Sequence, residues 1–358
     1  MTKLESESSA ISPERLRRII WFANQLAMKN VPLPLLRRDP PSTQYSHLIE
    51  SVEHLLVESD RQQKLILPEL SAFNNRSLGV FSDYSGEGPG RYFVYSVLVC
   101  GLNMLAPFEA CMAAIRPRFG LGAKEIAYKD LKMGQIRRAL PDYLAAADGI
   151  PGFLCTVAVD KRIMSVFGIE QDTRQRLVAV LEDAGLGVRK PEVAEKLLRV
   201  THLAAYLTAL VGHNGQNVFW MTDHDAICPT PGQHMQLLEA FVRVLPYYQR
   251  PGSQFDKVGG ATPFAERSVK MNDLLSLPDL AAGTLNDYLS KWGGLQPNEN
   301  RFKSGTDKIM LWLGKAGIGL KKSCFFVRKG PGDSIERGTV EFAPINPPPG
   351  TFIPIYGN

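Results

Sequence analysis

The chain has 358 residues, 44% of them hydrophobic and 22% charged, an ordinary globular balance that excludes extensive disorder. Its length allows about two domains or one elaborated α/β domain. The longest apolar runs, at 92–101 and 201–211, fall short of the ~18 residues of a membrane helix, and the mean hydropathy of -0.11 agrees, so no membrane span is expected. Net charge is +5 but unevenly spread: between Lys291 and Arg337, ten Lys/Arg stand against four Asp/Glu. That basic segment, carrying Phe302, Trp312, Phe325 and Phe326, reads either as a track for a phosphate backbone or as a solvated surface with buried aromatics.

The opening residues are polar and acidic before turning basic, without an apolar stretch or a small-residue cleavage site, and a cytoplasmic protein is expected. The five cysteines (Cys100, Cys111, Cys155, Cys228, Cys324) are widely spaced in mostly apolar contexts and are expected as reduced thiols. With no Cys-x-x-Cys and no helical His-x-x-x-His, a structural zinc site is not expected.

Ser12-Pro13-Glu14 reads as a helix start, and Leu16, Ile19, Ile20, Ala23, Leu26 and Ala27 continue at helical spacing to about Lys29. The proline-punctuated stretch 30–43 is a linker, and helical period returns over 45–58 through Leu48, Val52, Leu55 and Leu56. Residues 1–75 thus form a helical appendage. Its apolar stripes must be buried against the core or a second subunit, the expected place for a homo-oligomer or protein partner.

From Ser77 the period changes. A β run at 78–83 enters the turn Tyr84-Ser85-Gly86-Glu87-Gly88-Pro89-Gly90, and 92–100 is a second run, making a hairpin. The turn lacks the Lys-Ser/Thr of a phosphate-binding loop and the glycine spacing that opens a dinucleotide-binding helix, which disfavours a nucleotide cofactor. Ser85 is not in a nucleophile-elbow context. Strands at 152–159 and 216–221 are apolar enough to be central, and helical patterns follow at 133–147, 172–184, 193–211, 232–249 and 278–292. The alternation predicts an α/β fold, a mixed sheet with helices on both faces.

Three aspartates sit where an element meets a turn. Asp83 ends the first strand, Asp223 ends the 216–221 strand, and Asp279 opens the helix Leu277-Pro278-Asp279-Leu280-Ala281-Ala282-Gly283. Carboxyl ends of strands are where α/β sheets carry their sites. Glu125, in Lys124-Glu125-Ile126-Ala127-Tyr128-Lys129, is a fourth acid in a polar island. Such clusters suit Mg²⁺ or Mn²⁺, hard cations that select oxygen ligands and leave room for a substrate phosphate. Taken singly, Asp279 also reads as a first-turn acid favoured by the helix dipole and Asp83 as a turn support. Asp223 and Asp225 face one side of an extended segment, with His224 opposite, and Asp223 is preferred as nearer the strand. Asp160-Lys161, ending another strand, reads as a surface ion pair.

Val80-Phe81-Ser82-Asp83-Tyr84-Ser85-Gly86, then Glu125 with Lys129, a strand ending in Asp160, the strand with Asp223, and the Asp279 helix together resemble the bacterial family of unknown function numbered 3800. The resemblance spans roughly residues 77–292. In that family Glu stands where this chain has Tyr84. The resemblance implies a ribonuclease H-like mixed sheet flanked by helices and a nuclease site. In the roles it implies, Asp83 bridges two metals, Asp223 and Asp279 each hold one, Glu125 ligates or positions the attacking water, and Lys129 offsets phosphate charge.

The expected organisation is a helical appendage (1–75), a ribonuclease H-like core (76–292) and a basic C-terminal extension (293–358). The expected function is divalent-metal-dependent hydrolysis of phosphodiester bonds in DNA or RNA. The alternatives are a catalytically weakened binding or assembly subunit of a larger bacterial complex, and a nucleotide-sensing effector.

Overall fold

A computed structural model describes residues 45–223, 225–261, 268–292, 302–332 and 334–342, with Ser12, Met28–Lys29, Leu33, Leu35 and Leu36. The strands are β1 (Met28–Lys29), β2 (Leu67–Pro68), β3 (Ser77–Ser85), β4 (Tyr92–Gly101), β5 (Gly152–Asp160), β6 (Asn217–Thr222), β7 (Val258–Ala261), β8 (Leu320–Lys329) and β9 (Ile335–Thr339). The α-helices are α1 (His47–Arg61), α2 (Ala106–Phe119), α3 (Gly134–Ala147), α4 (Thr173–Asp183), α5 (Pro191–Val211), α6 (Pro231–Tyr248), α7 (Val269–Trp292) and α8 (Thr306–Gly314).

Seven strands form one mixed sheet in the order β7-β6-β3-β4-β5-β8-β9. β3, β4 and β5 run antiparallel in succession, β6 lies parallel beside β3, β7 parallel beside β6, and β8 parallel beside β5. The protein is therefore α/β, with helices covering both faces. Side chains alternate across the sheet. Leu78, Val80, Val97, Val157 and Trp220 pack toward α1, α5 and α6, whereas Phe81, Leu98, Leu154 and Met221 pack toward α2, α3, α7 and α8. Every residue of β5 is buried, which explains a near-continuous apolar run rather than an alternating one. The hairpin turn needs glycine at Gly86, where φ is +100° and a Cβ would lie 2.0 Å from the Tyr92 carbonyl oxygen.

Several expectations shift. The helix expected from Ser12 lies almost wholly outside the described residues, and at its expected end Met28–Lys29 pairs antiparallel with Leu67–Pro68. α1 forms as expected, with Ser46 Oγ accepting the Ile49 N–H at 3.3 Å, and buries Leu48, Val52, Leu55 and Leu56 in the main core. α7 begins at Val269 rather than at Pro278, so Asp279 lies mid-helix. A proline inside a helix deletes one N–H and is costly, but here Leu274, Leu275 and Leu277, all buried, hold the preceding turns against the sheet.

The basic segment beyond residue 292 is no appended extension, because β8 and β9 continue the sheet past β5. The strand was hidden by Lys321 and Lys322. Lys321 Nζ donates to the Gly317 and Ile318 carbonyls, and Lys322, almost fully buried, pairs with Asp148 at 2.7 Å. All five cysteines are free thiols, and among the described residues no helix is long and apolar enough to cross a membrane.

A chain ended after residue 292 should fail to fold, because β5 then becomes a long apolar free edge. Circular dichroism and gel filtration of that fragment should report aggregation, and a soluble fragment with a cooperative melt would contradict the shared sheet.

Candidate active site

The site forms where two neighbouring parallel strands end. Ser82 of β3 sits opposite Thr222 of β6, and the Asp223 N–H donates to the Ser82 carbonyl at 3.0 Å, so Asp223, just past the end of β6, lies beside Asp83, which does not end its strand but stays paired with Ser96 of β4 as β3 runs on to Ser85. Alternation turns Asp83 to the face of Phe81, toward α7, and it is buried there. α7 presents Asp279, whose Oδ2 accepts the Tyr128 backbone N–H at 2.6 Å. Glu125 arrives on the loop between α2 and α3. Arg116 anchors that loop: its Nη1 donates to the carbonyls of Gly122 at 2.7 Å and Lys124 at 3.1 Å, while the rest of its guanidinium pairs with buried Asp273 of α7.

Asp83, Asp279 and Glu125 each titrate under the influence of neighbouring acids. Burial first, then the charges of Asp279 and Asp223, push the Asp83 carboxyl well above the ordinary carboxylate range, against the opposing Tyr84 N–H. Burial lifts Asp279 to about 7, with Glu125 and Asp223 adding repulsion and the Tyr128 N–H and Lys129 working against it. Glu125 is also raised, by burial and by Asp223, with Lys129 offsetting part of the effect. All five expected residues, Asp83, Glu125, Lys129, Asp223 and Asp279, thus meet in one electrostatic neighbourhood. Mid-helix and half-buried, Asp279 is not a first-turn acid.

The donors are all carboxylate oxygens, the chemistry that suits a hard divalent cation. Among the described residues no three His, Cys, Asp or Glu side chains stand ready in ligating geometry, so the acids form a cluster rather than a finished cage.

Neighbouring candidates fall outside the cluster. Asp225 does not share the Asp223 side as an extended segment implies. The chain turns after Thr222, and Asp225 accepts the Ile227 N–H at 2.8 Å and pairs with Lys196 of α5 on the other face of the sheet. His224 lies outside the described residues. Tyr84 also faces away, its hydroxyl between Ser82 Oγ at 2.8 Å and Thr222 Oγ1 at 2.6 Å, so no side chain at position 84 reaches the acids from β3. Asp160 is buried between Arg91 and Arg162, which overcome burial and bring its carboxyl down to about 2, a satisfied structural pair.

Sequence reasoning missed the supports. The α7 motif ends in Gly283 because a Cβ there would lie 2.3 Å from the Tyr128 ring. Asp279 and Gly283, one turn apart, therefore seat the Tyr128 backbone and ring together. Asn286, a further turn on, donates from Nδ2 to Ser85 Oγ at 3.3 Å and ties the hairpin turn to the same helix. The one-turn spacing of an acid and a glycine is the signal that could have found this seat.

No protein-family model matches the chain, and no curated protein matches it.

The raised carboxyls fix the sign of a pH effect. Asp279 binds its proton more tightly folded than unfolded, so its contribution to stability is present below the ordinary carboxylate range and is lost as pH rises toward about 7. In chelator, wild-type stability measured by urea unfolding should fall from pH 5 to pH 8, by on the order of 2–4 kcal/mol from this group. Asp279→Asn should flatten that slope, and an unchanged slope would remove Asp279 from the repulsive cluster.

Proposed function

We propose that the chain is a divalent-metal-dependent nuclease of ribonuclease H-like type, hydrolysing phosphodiester bonds in DNA or RNA with Mg²⁺ or Mn²⁺. One observation carries the reading: four carboxylates, from β3, the end of β6, the loop before Tyr128 and the middle of α7, lie close enough to repel one another, Asp83 buried and the other three half-buried. Acids whose proton affinity is raised by burial and by one another are candidates for a functional site. The mixed sheet, an antiparallel β3–β4–β5 meander with β6 and β7 added in parallel beside its first strand and helices on both faces, is compatible with the type that the motif resemblance implies. The motif resemblance to the family numbered 3800 points the same way.

In this reading Asp83, Asp223 and Asp279 hold the cation and Glu125 completes the set or orients the attacking water. A bound divalent cation supplies electrostatic stabilisation of the charge that builds on the phosphate. Glu125, partly exposed and with raised proton affinity, accepts the proton that the water loses. Lys129, exposed beside Glu125 and Asp279, faces the phosphate.

The basic segment joins this picture more narrowly than its count suggests. Lys322 is committed to Asp148, Lys321 to two carbonyls and Arg328 to Glu336. Lys303 remains exposed over Tyr128, its Nζ 4.6 Å from the ring centroid, on the same turn that holds Asp279. Lys129 and Lys303 thus flank the acids and suit the backbone of a nucleic-acid strand.

Wild type should cleave at least one of single-stranded DNA, duplex DNA, RNA and an RNA–DNA hybrid in Mn²⁺, and Asp83→Asn should reduce that cleavage to background. Mn²⁺ binding by wild type without cleavage of any of these would favour the assembly subunit, and neither binding nor cleavage would sink the reading. For strand binding in Ca²⁺, Lys129→Gln and Lys303→Gln should each lower the slope of log K against log salt by about 1. Unchanged slopes would remove these lysines from the backbone track.

A further inference from the structure

Behind the acidic cluster, on the opposite face of the sheet, Lys196 occupies an uncommon position for a lysine. It projects from α5, where Leu197, Leu198, Val200 and Leu203 are buried, and its own side chain is only 13% exposed. Its ammonium meets two carboxylates from two different turns, Glu87 in the turn after β3 and Asp225 in the turn after β6. It also lies 5.1 Å from the Tyr84 ring centroid. Beside it, the Tyr84 hydroxyl bridges Ser82 of β3 and Thr222 of β6, and Trp220 Nε1 donates to Ser82 Oγ at 3.0 Å.

We infer that Lys196 is a positioning residue for the acidic site, a clamp that sets the separation of the turns that follow β3 and β6, just beyond Asp83 and Asp223. This assignment rests on the reading of Asp83 and Asp223 as one site. A solvent-exposed ion pair contributes little and constrains little. Lys196 differs in being shielded, so losing one of its anions leaves a buried, poorly compensated charge. It differs also in being shared, since spreading the two turns must stretch one of its two pairs. Asp225 stands two residues from Asp223 and Glu87 four from Asp83, so the clamp acts on the very segments that carry the ligands. It does so without reaching the acids' face, where a lysine would compete with a cation. The same geometry accounts for the Gly-rich turn: the clamp holds it at Glu87, Lys161 Nζ donates to the Gly88 carbonyl, and Asn286 holds it at Ser85.

The readout is local. The Asp223 N–H, bonded to the Ser82 carbonyl, reports whether the two strand ends stay together. In the metal-free full chain, Lys196→Met should raise hydrogen exchange at the Asp223 amide about tenfold while Val97 and Val157 in the sheet centre keep wild-type protection. Lys196→Arg, which restores both pairs, should return it toward wild type. Glu87→Gln, at a largely exposed partner, tests the clamp with little risk to folding and should raise exchange at Asp223 more weakly. Titrating Mn²⁺ by electron paramagnetic resonance gives the second arm, in which Lys196→Met should bind about tenfold more weakly than wild type. Unchanged exchange at Asp223, an equal rise at Val157, or wild-type Mn²⁺ affinity in Lys196→Met would each overturn the clamp. Absence of Mn²⁺ binding by wild type would instead overturn the nuclease reading, leaving the exchange result to decide the clamp alone.

Discussion

Carboxylates repel, and repulsion grows as water is removed. Asp83 is buried and Asp279 half-buried; Asp279, Asp223 and Glu125 raise the proton affinity of Asp83, and Glu125 and Asp223 raise that of Asp279. That repulsion is the constraint around which the surrounding structure is arranged. The parallel pairing of β3 with β6 brings two of the acids to one sheet edge. The Tyr128 N–H lowers the cost at Asp279, Gly283 makes room for the Tyr128 ring, and Arg116 ties the Glu125 loop to α7. Loosening any of these supports lets the acids separate, so together they hold the acids close against their repulsion.

Asp160 supplies the internal contrast. It ends β5 and is completely buried, yet two arginines bring its carboxyl down to about 2, and it needs nothing further. A strand-end aspartate built for stability looks like Asp160, with charge matched by charge. Asp83 is built the other way, with a single backbone N–H and other acids around it. The two faces of the sheet divide the labour similarly: acids gather on the α7 side, while the neutral hydroxyls of Ser82, Tyr84 and Thr222 and the ammonium of Lys196 lock the strands on the α5 side.

Much of this was legible in the residues themselves. The change of period at Ser77, the Gly-rich turn after Asp83 and the apolar run of β5 are local signals, and the sheet followed them. What stayed hidden was tertiary. Pro278 reads as a helix start because a proline is best tolerated there, but buried leucines on its N-terminal side outweigh the lost N–H and put Asp279 inside α7. β8 reads as a basic surface because two lysines interrupt it, and only the partners brought by Asp148 and two carbonyls make it a strand. α2, with Pro107 near its start and Pro117 inside it, was not expected as a helix. Lys196 carries no local signal, because its two anions come from turns more than twenty residues away in either direction.

The central claim is that Asp83, Asp223 and Asp279 are one cation site, and a direct test is anomalous diffraction at the manganese edge from crystals grown in Mn²⁺. The account predicts a peak between the Asp83 and Asp279 carboxylates, within ligand distance of Asp223. Ordered crystals with no anomalous density among these three carboxylates, at Mn²⁺ concentrations that saturate ordinary carboxylate sites, would contradict it.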